Sequence, residues 1–155
     1  MPPTSTYSLL ATRHSSHIRA EVVRVIDGDT AVFRINNTEE TVRFLGIDAP
    51  ETVHPDKPVE CFGPEASEFV KSVLEEETAV YLELDEMTGE RDKYGRLLAH
   101  IWLEDGTLFN ELLLQEGYAE FSNYGNATEK DGRYTQAQSQ AQSGKTGVWV
   151  HCVEN

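Results

Sequence analysis

The chain has 155 residues, room for one domain with a sizeable core, and its 39 % hydrophobic content, with two Trp, six Phe and six Tyr, excludes a wholly disordered protein. Thirteen Lys and Arg face 27 Asp and Glu, and the formal net charge of -14 has the wrong sign for a protein steered broadly onto nucleic acid. No apolar run is long enough to suggest a membrane span.

Residues 1–19 are polar, show no sustained period and read as a flexible tail; their opening lacks the basic start and apolar block of a signal peptide. "EVVRVI", "TAVFRI" and "TVRFLGI" then follow in close succession, separated by "DGDT" and "NNTEE", which predicts a three-stranded meander. "ETVHPDKPVECF" carries two prolines and no period, and reads as a surface loop. In "GPEASEFVKSVLEE", Pro64 suits the first helical position, and Ala66, Phe69, Val70, Val73 and Leu74 recur at helix spacing.

"AVYLEL" and "RLLAHIWL" read as two further strands around the turn-rich "DEMTGERDKYG". "TLFNELLLQEG" predicts a short helix with Thr107 as its cap and Gly117 as its stop. "ATEKDGRYTQAQSQAQSG" predicts a helix ending at Gly144, with Tyr134, Ala137 and Ala141 facing inward, after which "VW" packs back onto the body. The order fits an α+β domain over residues 20–151 built on a small, partly open oligonucleotide-binding-type barrel, with a short tail at 152–155; another α+β arrangement is the alternative. Cys61 and Cys152 either pair or stay free, since sequence supplies no geometry, and they are too few for an independent soft-metal site.

Chemistry concentrates at three places. Asp27 and Asp29 flank Gly28 where the first strand meets the second, with Thr30 placed to hold a carboxylate, and Asp48 and Glu51 follow the third strand. Converged at one rim, these oxygens would suit Ca2+ or Mg2+, although an Asp-Gly turn alone is commonplace. On an ideal strand Arg43 shares a face with Leu45 and Ile47, so burying it calls for a carboxylate or a ligand phosphate; a structural ion pair is the plainer explanation. Lys93, Tyr94 and Arg96 surround Gly95, combining a phosphate-forking guanidinium with a ring that can stack on a base. His54 and His100 read as structural, and His14, His17 and His151 form no metal constellation.

With these motifs in order ("VIDGDT", "RFLGIDAPET", "HP", "GPEASEFVK", "DKYGRLLA", the pattern over residues 110–119 and "AQ-----GVW"), the chain resembles the staphylococcal-type thermonuclease family from Glu21 through Trp149. The resemblance implies a five-stranded OB-fold-type barrel with three helices and calcium-dependent cleavage of single-stranded or locally opened DNA and RNA, leaving 3'-phosphates and 5'-hydroxyls. It makes Asp29 and Asp48 side-chain calcium ligands. Ala49 replaces a frequent Thr but keeps the backbone carbonyl that the family uses. Glu51 matches the general base, Arg43 and Arg96 the phosphate clamp, and Asp27 a residue behind the ligands. Lys93 and Tyr94 match substrate contacts, and Tyr124 is the candidate for a base contact; Tyr118 is assigned to packing. The family resemblance also favours an extracytoplasmic setting, and the sequence indicates a monomer with no obligate protein partner. A nuclease-derived binding domain without turnover is the competing function.

Overall fold

The computed structural model describes residues 17–52, 60–123 and 127–152. Its centre is a closed barrel in which β1 (His17–Asp27), β2 (Thr30–Ile35), β3 (Thr38–Phe44), β6 (Leu97–Leu103) and β5 (Ala79–Glu83) follow one another around the wall. Closure comes from β1: His17–Glu21 pairs with β5, and Glu21–Asp27 pairs with β2. Register shifts between Val22 and Arg24 and between Val25 and Asp27 bend that strand enough to serve both neighbours. The barrel is therefore closed rather than partly open, and residues 17–19 of the expected tail are strand. Residues 1–16 and 153–155 lie outside the described residues, whereas Cys152 is disulfide-bonded.

The β2–β3 turn is shorter than "NNTEE". Asn36 and Asn37 take φ 52° and 67°, the pair of positive values a two-residue hairpin demands, and Thr38 already pairs with Ile35. The third strand is also broken where a continuous run was expected. Gly46 turns the chain at φ 80°, and Ile47–Asp48 leaves the barrel as β4 to pair with β7 (Glu120–Phe121). This break aims the "DAPE" segment.

Helix α1 (Gly63–Val73) stops at Val73, short of the expected "LEE", and buries Ala66, Ser67 and Val70. Thr107 does not cap α2 (Phe109–Gln115): its carbonyl accepts the Leu103 N–H at 2.8 Å and its N–H donates to Asp105 Oδ1 at 2.9 Å, and Leu108 is the N-cap, without a side-chain bond. Gly117, at φ 74°, ends α2 as the sequence implies, with its N–H on Leu114 O and that of Tyr118 on Leu113 O. Helix α3 (Asp131–Gly144) buries Tyr134, Ala137 and Ala141. The "VW" stretch forms a further short helix, α4 (Val148–His151), beyond the expected three.

The core fills the barrel with Val22, Phe33, Val42, Phe44, Val80, Leu82, Ala99 and Ile101, and α2 adds Phe109 and Leu113 over one end. A column of stacked rings, His151–Phe62–Tyr118–Phe69, ties α4 and the residues around α2 to α1, beside the Cys61–Cys152 disulfide. Asn110, fully buried, receives the Ile101 N–H on its oxygen at 2.7 Å and donates to Leu45 O at 2.8 Å. It thus clamps α2 to the segment that precedes the Gly46 turn.

Candidate active site

The β1–β2 turn, the outward end of β3, the β4 segment and the loop before β6 open onto one cleft of about 980 Å³. Its walls include Asp27, Asp29, Arg43, Asp48, Glu51, Lys93, Tyr94 and Arg96, so three separate sequence motifs meet there. Tyr124 and His54 lie outside the described residues.

The β1–β2 turn is built by close approach. A Cβ on Gly28 would fall 2.6 Å from the Ala49 Cβ, so a glycine lets the turn lie directly against the "DAPE" segment. Asp29 is fixed on both oxygens: Thr30 Oγ1 donates to Oδ1 at 2.9 Å, and the Ala49 N–H donates to Oδ2 at 2.9 Å. Asp27, buried, accepts from the Gly28 N–H at 3.0 Å and the Thr52 hydroxyl at 2.7 Å. It therefore holds the backbone on either side of the cleft floor, including the residue that follows Glu51.

Arg43 is 8 % exposed and lies among oxygens. Its Nη1 donates to Phe44 O and Ile47 O, both at 2.9 Å, while Nη2 stands 3.4 Å from Asp29 Oδ2 and 3.9 Å from Asp48 Oδ1. A guanidinium can serve carbonyls on one nitrogen and carboxylates on the other; an ammonium cannot. Asp48 is pushed above the usual carboxylate range by burial first and the Asp29 charge second, against the pull of Arg43. Two carboxylates thus lean on one cation, and a hard divalent ion would relieve that repulsion. Among the described residues no three His, Cys, Asp or Glu side chains gather as a ready ligand cluster. Backbone oxygens and water would have to complete the coordination.

Across the cleft, Asp92 organises the loop that carries the basic residues. It receives the backbone N–H groups of Tyr94 and Arg96, each at 2.9 Å, and the Arg96 Nε at 2.7 Å. Burial opposes ionisation of Asp92, but these bonds prevail and hold its pKa low. Arg96 and Lys93 both sit over the Tyr94 ring, at 5.4 and 5.2 Å, and Tyr94 is 72 % exposed. Arg91 forks onto Glu40 of β3 at 2.9 and 3.0 Å and donates to Gly95 O at 3.0 Å, pinning the loop to the barrel.

The supports Asp92, Thr52, Asn110 and the Arg91–Glu40 pair were not singled out from sequence. Asp92 had a visible signal, its spacing of four residues from Arg96 in "DKYGR". Arg91 and Glu40 are 51 residues apart, so only folding reveals them.

Fold and cleft together define an OB-type α+β protein with a carboxylate pair and two arginines facing one groove. Residues 41–151 match the family model described as staphylococcal nuclease homologue. The chain is 43 % identical to a thermonuclease of Staphylococcus hyicus over 129 residues, covering 83 % of this chain and 74 % of that one. It is 40 % identical to a thermonuclease of Staphylococcus intermedius over 140 residues, 88 % of this chain and 81 % of the relative. It is also 37 % identical to the endonuclease YncB of Bacillus subtilis (strain 168) over 127 residues, 81 % of this chain and 59 % of the relative. The chain belongs to the staphylococcal nuclease family.

Proposed function

We infer that the protein is a calcium-dependent endonuclease acting on single-stranded or locally opened DNA and RNA, breaking the 5'-O–P bond and leaving 3'-phosphates. The observation that carries this reading is the position of Arg43, 3.4 Å from Asp29 and 3.9 Å from Asp48, on the cleft that also takes Glu51 and Arg96. Family membership and the relatives named thermonuclease support the nuclease class.

The donor set is all oxygen, which suits calcium: Asp29 and Asp48 supply carboxylates, and Ala49, whose N–H already holds Asp29, supplies a carbonyl. When bound, calcium supplies positive charge to the phosphate oxygens and to the water beside them. Arg43, immobilised by two carbonyls, presents a preorganised fork for a nonbridging phosphate oxygen. Arg96, its plane set by Asp92, approaches from the facing wall and stabilises charge on the departing 5'-oxygen without giving up its proton. Glu51, anchored through its N–H to Glu60 Oε1 at 2.8 Å, orients or deprotonates the attacking water. Asp27 keeps that segment in place through Thr52. Lys93 and Tyr94 engage the neighbouring phosphate and base, with Tyr124 as a further base contact. The protein acts as a monomer in this reading, and the Cys61–Cys152 disulfide supports an oxidising, extracytoplasmic setting.

Digesting single-stranded DNA and RNA with calcium, with magnesium and with a chelator, beside a Glu51→Gln protein, tests the reading. Fragments with 3'-phosphate ends in calcium alone are expected, with the Gln protein strongly impaired. Binding without cleavage in calcium would instead identify a nuclease-derived binding domain.

A further inference from the structure

Asp85, His100 and Tyr134 form a row of titratable side chains away from the proposed chemistry, each 5 % exposed or less. His100 Nε2 lies 2.9 Å from Asp85 Oδ2, and its Nδ1 lies 2.6 Å from the Tyr134 hydroxyl. Asp85 also accepts the Glu129 and Met87 backbone N–H groups, each at 2.9 Å. Burial works against its charge, yet the bonds from His100, Glu129 and Met87 hold its pKa low. An ionised Asp85 can only accept, so Nε2 carries the ring proton and Nδ1 accepts the Tyr134 O–H. Burial lowers the His100 pKa, against the pull of Asp85. Glu83, its cross-strand partner on β5, favours the charged form of His100, and Lys130 opposes it. Around Tyr134 the charges are Glu83, Arg133, Glu111 and Asp85.

Tyr134 reaches the cleft through its ring. A Cβ on Gly46 would fall 2.6 Å from Tyr134 Cε2, so the ring lies flush against the glycine that breaks the third strand. From Gly46 the chain runs into Ile47, whose carbonyl Arg43 holds, and Asp48, which pairs with Glu120. We propose that Asp85, His100 and Tyr134 are positioning residues for the cleft, with the Tyr134–His100 hydrogen bond pressing the ring onto Gly46 so that Asp48 stays beside Asp29, and that protonation of His100 releases this hold. The link to cleavage rests on the nuclease reading; the mechanical coupling does not.

The proton balance is simple. Solvent delivers one proton to Nδ1, which becomes a donor facing the Tyr134 oxygen 2.6 Å away. Tyr134 must then turn its own O–H to another acceptor from a position with 0 % exposure, or move its ring. Movement of the ring is felt first at Gly46, where there is no spare space.

Nuclear magnetic resonance of the intact protein tests the coupling without substrate or metal. At neutral pH the His100 nitrogens should show hydrogen on Nε2 only. As pH falls below 6.5, the Gly46, Ile47 and Asp48 amides should shift with the midpoint of the His100 ring. In Tyr134→Phe, which keeps the ring and removes the hydroxyl, His100 should still titrate while those amides stop following it. At subsaturating calcium, the wild type should lose about fivefold more cleavage rate than Tyr134→Phe between neutral and acid pH. Amides that ignore His100 in the wild type, amides that follow it equally in Tyr134→Phe, or a His100 that stays neutral until the chain unfolds would each overturn the proposal. Coupled amide shifts in a chain that cleaves nothing would support the positioning and sink only the nuclease reading.

Discussion

Asp29 in the β1–β2 turn and Arg43 on β3 form an ion pair at 3.4 Å, although Asp29 is already held by Thr30 and Ala49 and Arg43 by two carbonyls. The pair is thus set by the barrel rather than by mutual attraction alone. Arg43→Lys keeps the charge but cannot serve the same carbonyls and carboxylates together. Steady-state kinetics on single-stranded DNA should show kcat reduced roughly 10²–10³-fold. A Lys protein within about tenfold of wild type would remove Arg43 from the transition-state assignment.

On the proposed function calcium should raise thermal stability, since a ligand of the folded state alone stabilises it; at a hundred times its Kd the gain is about 2.7 kcal/mol. Asp48, held above its ordinary pKa by burial and Asp29, opposes folding above its unfolded pKa, and that opposition fades as protonation proceeds. Asp48→Asn should therefore leave the metal-free protein no less stable and abolish the calcium gain. Calorimetry with calcium and with chelator measures both effects.

Two glycines predict opposite outcomes. Gly46→Ala would force a methyl into the Tyr134 ring at φ 80°, costing about 1–3 kcal/mol or more. Gly132, in the first turn of α3 with nothing within 4 Å of an added Cβ, should gain roughly 0.5–1 kcal/mol as Ala. Urea unfolding midpoints of the two variants should move in opposite directions.

Reducing Cys61–Cys152 should cost about 2–5 kcal/mol, since the bond spans a separation of 91 residues and constrains much of the unfolded chain. The stacked rings His151, Phe62 and Tyr118 remain to hold α4, so fraying should begin at the C-terminal end. Hydrogen exchange with and without reductant locates the loss.

Acid should destabilise the fold in two steps through one buried pair. His100 titrates below its unfolded 6.5, so its contribution is complete above that pH and is lost as pH falls toward the folded value. Asp85, depressed by its hydrogen bonds despite burial, contributes above its unfolded 3.8, and that contribution is lost at still lower pH. Across this range the unfolding midpoints of His100→Gln should lack the first step and show a smaller second one, because the His100 bond is part of what holds Asp85 low.

The elements were legible where local chemistry is decisive. Val, Ile and Phe in β2, and Asn36–Asn37 at the hairpin, announce strand and turn within a few residues. The inward residues of α3 and the Gly117 stop were legible for the same reason. Thr107 misled because a cap needs a side-chain oxygen turned to the helical N–H groups, and the Thr107 hydroxyl bonds back to Asp105 instead. The unbroken reading of "TVRFLGI" failed because apolar alternation continues through Gly46, while the Tyr134 ring that occupies its side-chain space arrives from 88 positions later.

The sequence by itself determined the kinds of group at the cleft: the carboxylates of "DGDT" and "DAPE", and the arginines of "VRF" and "KYGR". Ordered motif resemblance told which of them belong together. Tertiary structure decided their aim. Gly28 lies against Ala49, Tyr134 fills the space at Gly46, and Arg91 locks onto Glu40, contacts whose partners are too far apart in the chain for any local pattern to encode. A side chain's charge is intrinsic, but its direction depends on the long-range packing that leaves it one place to point.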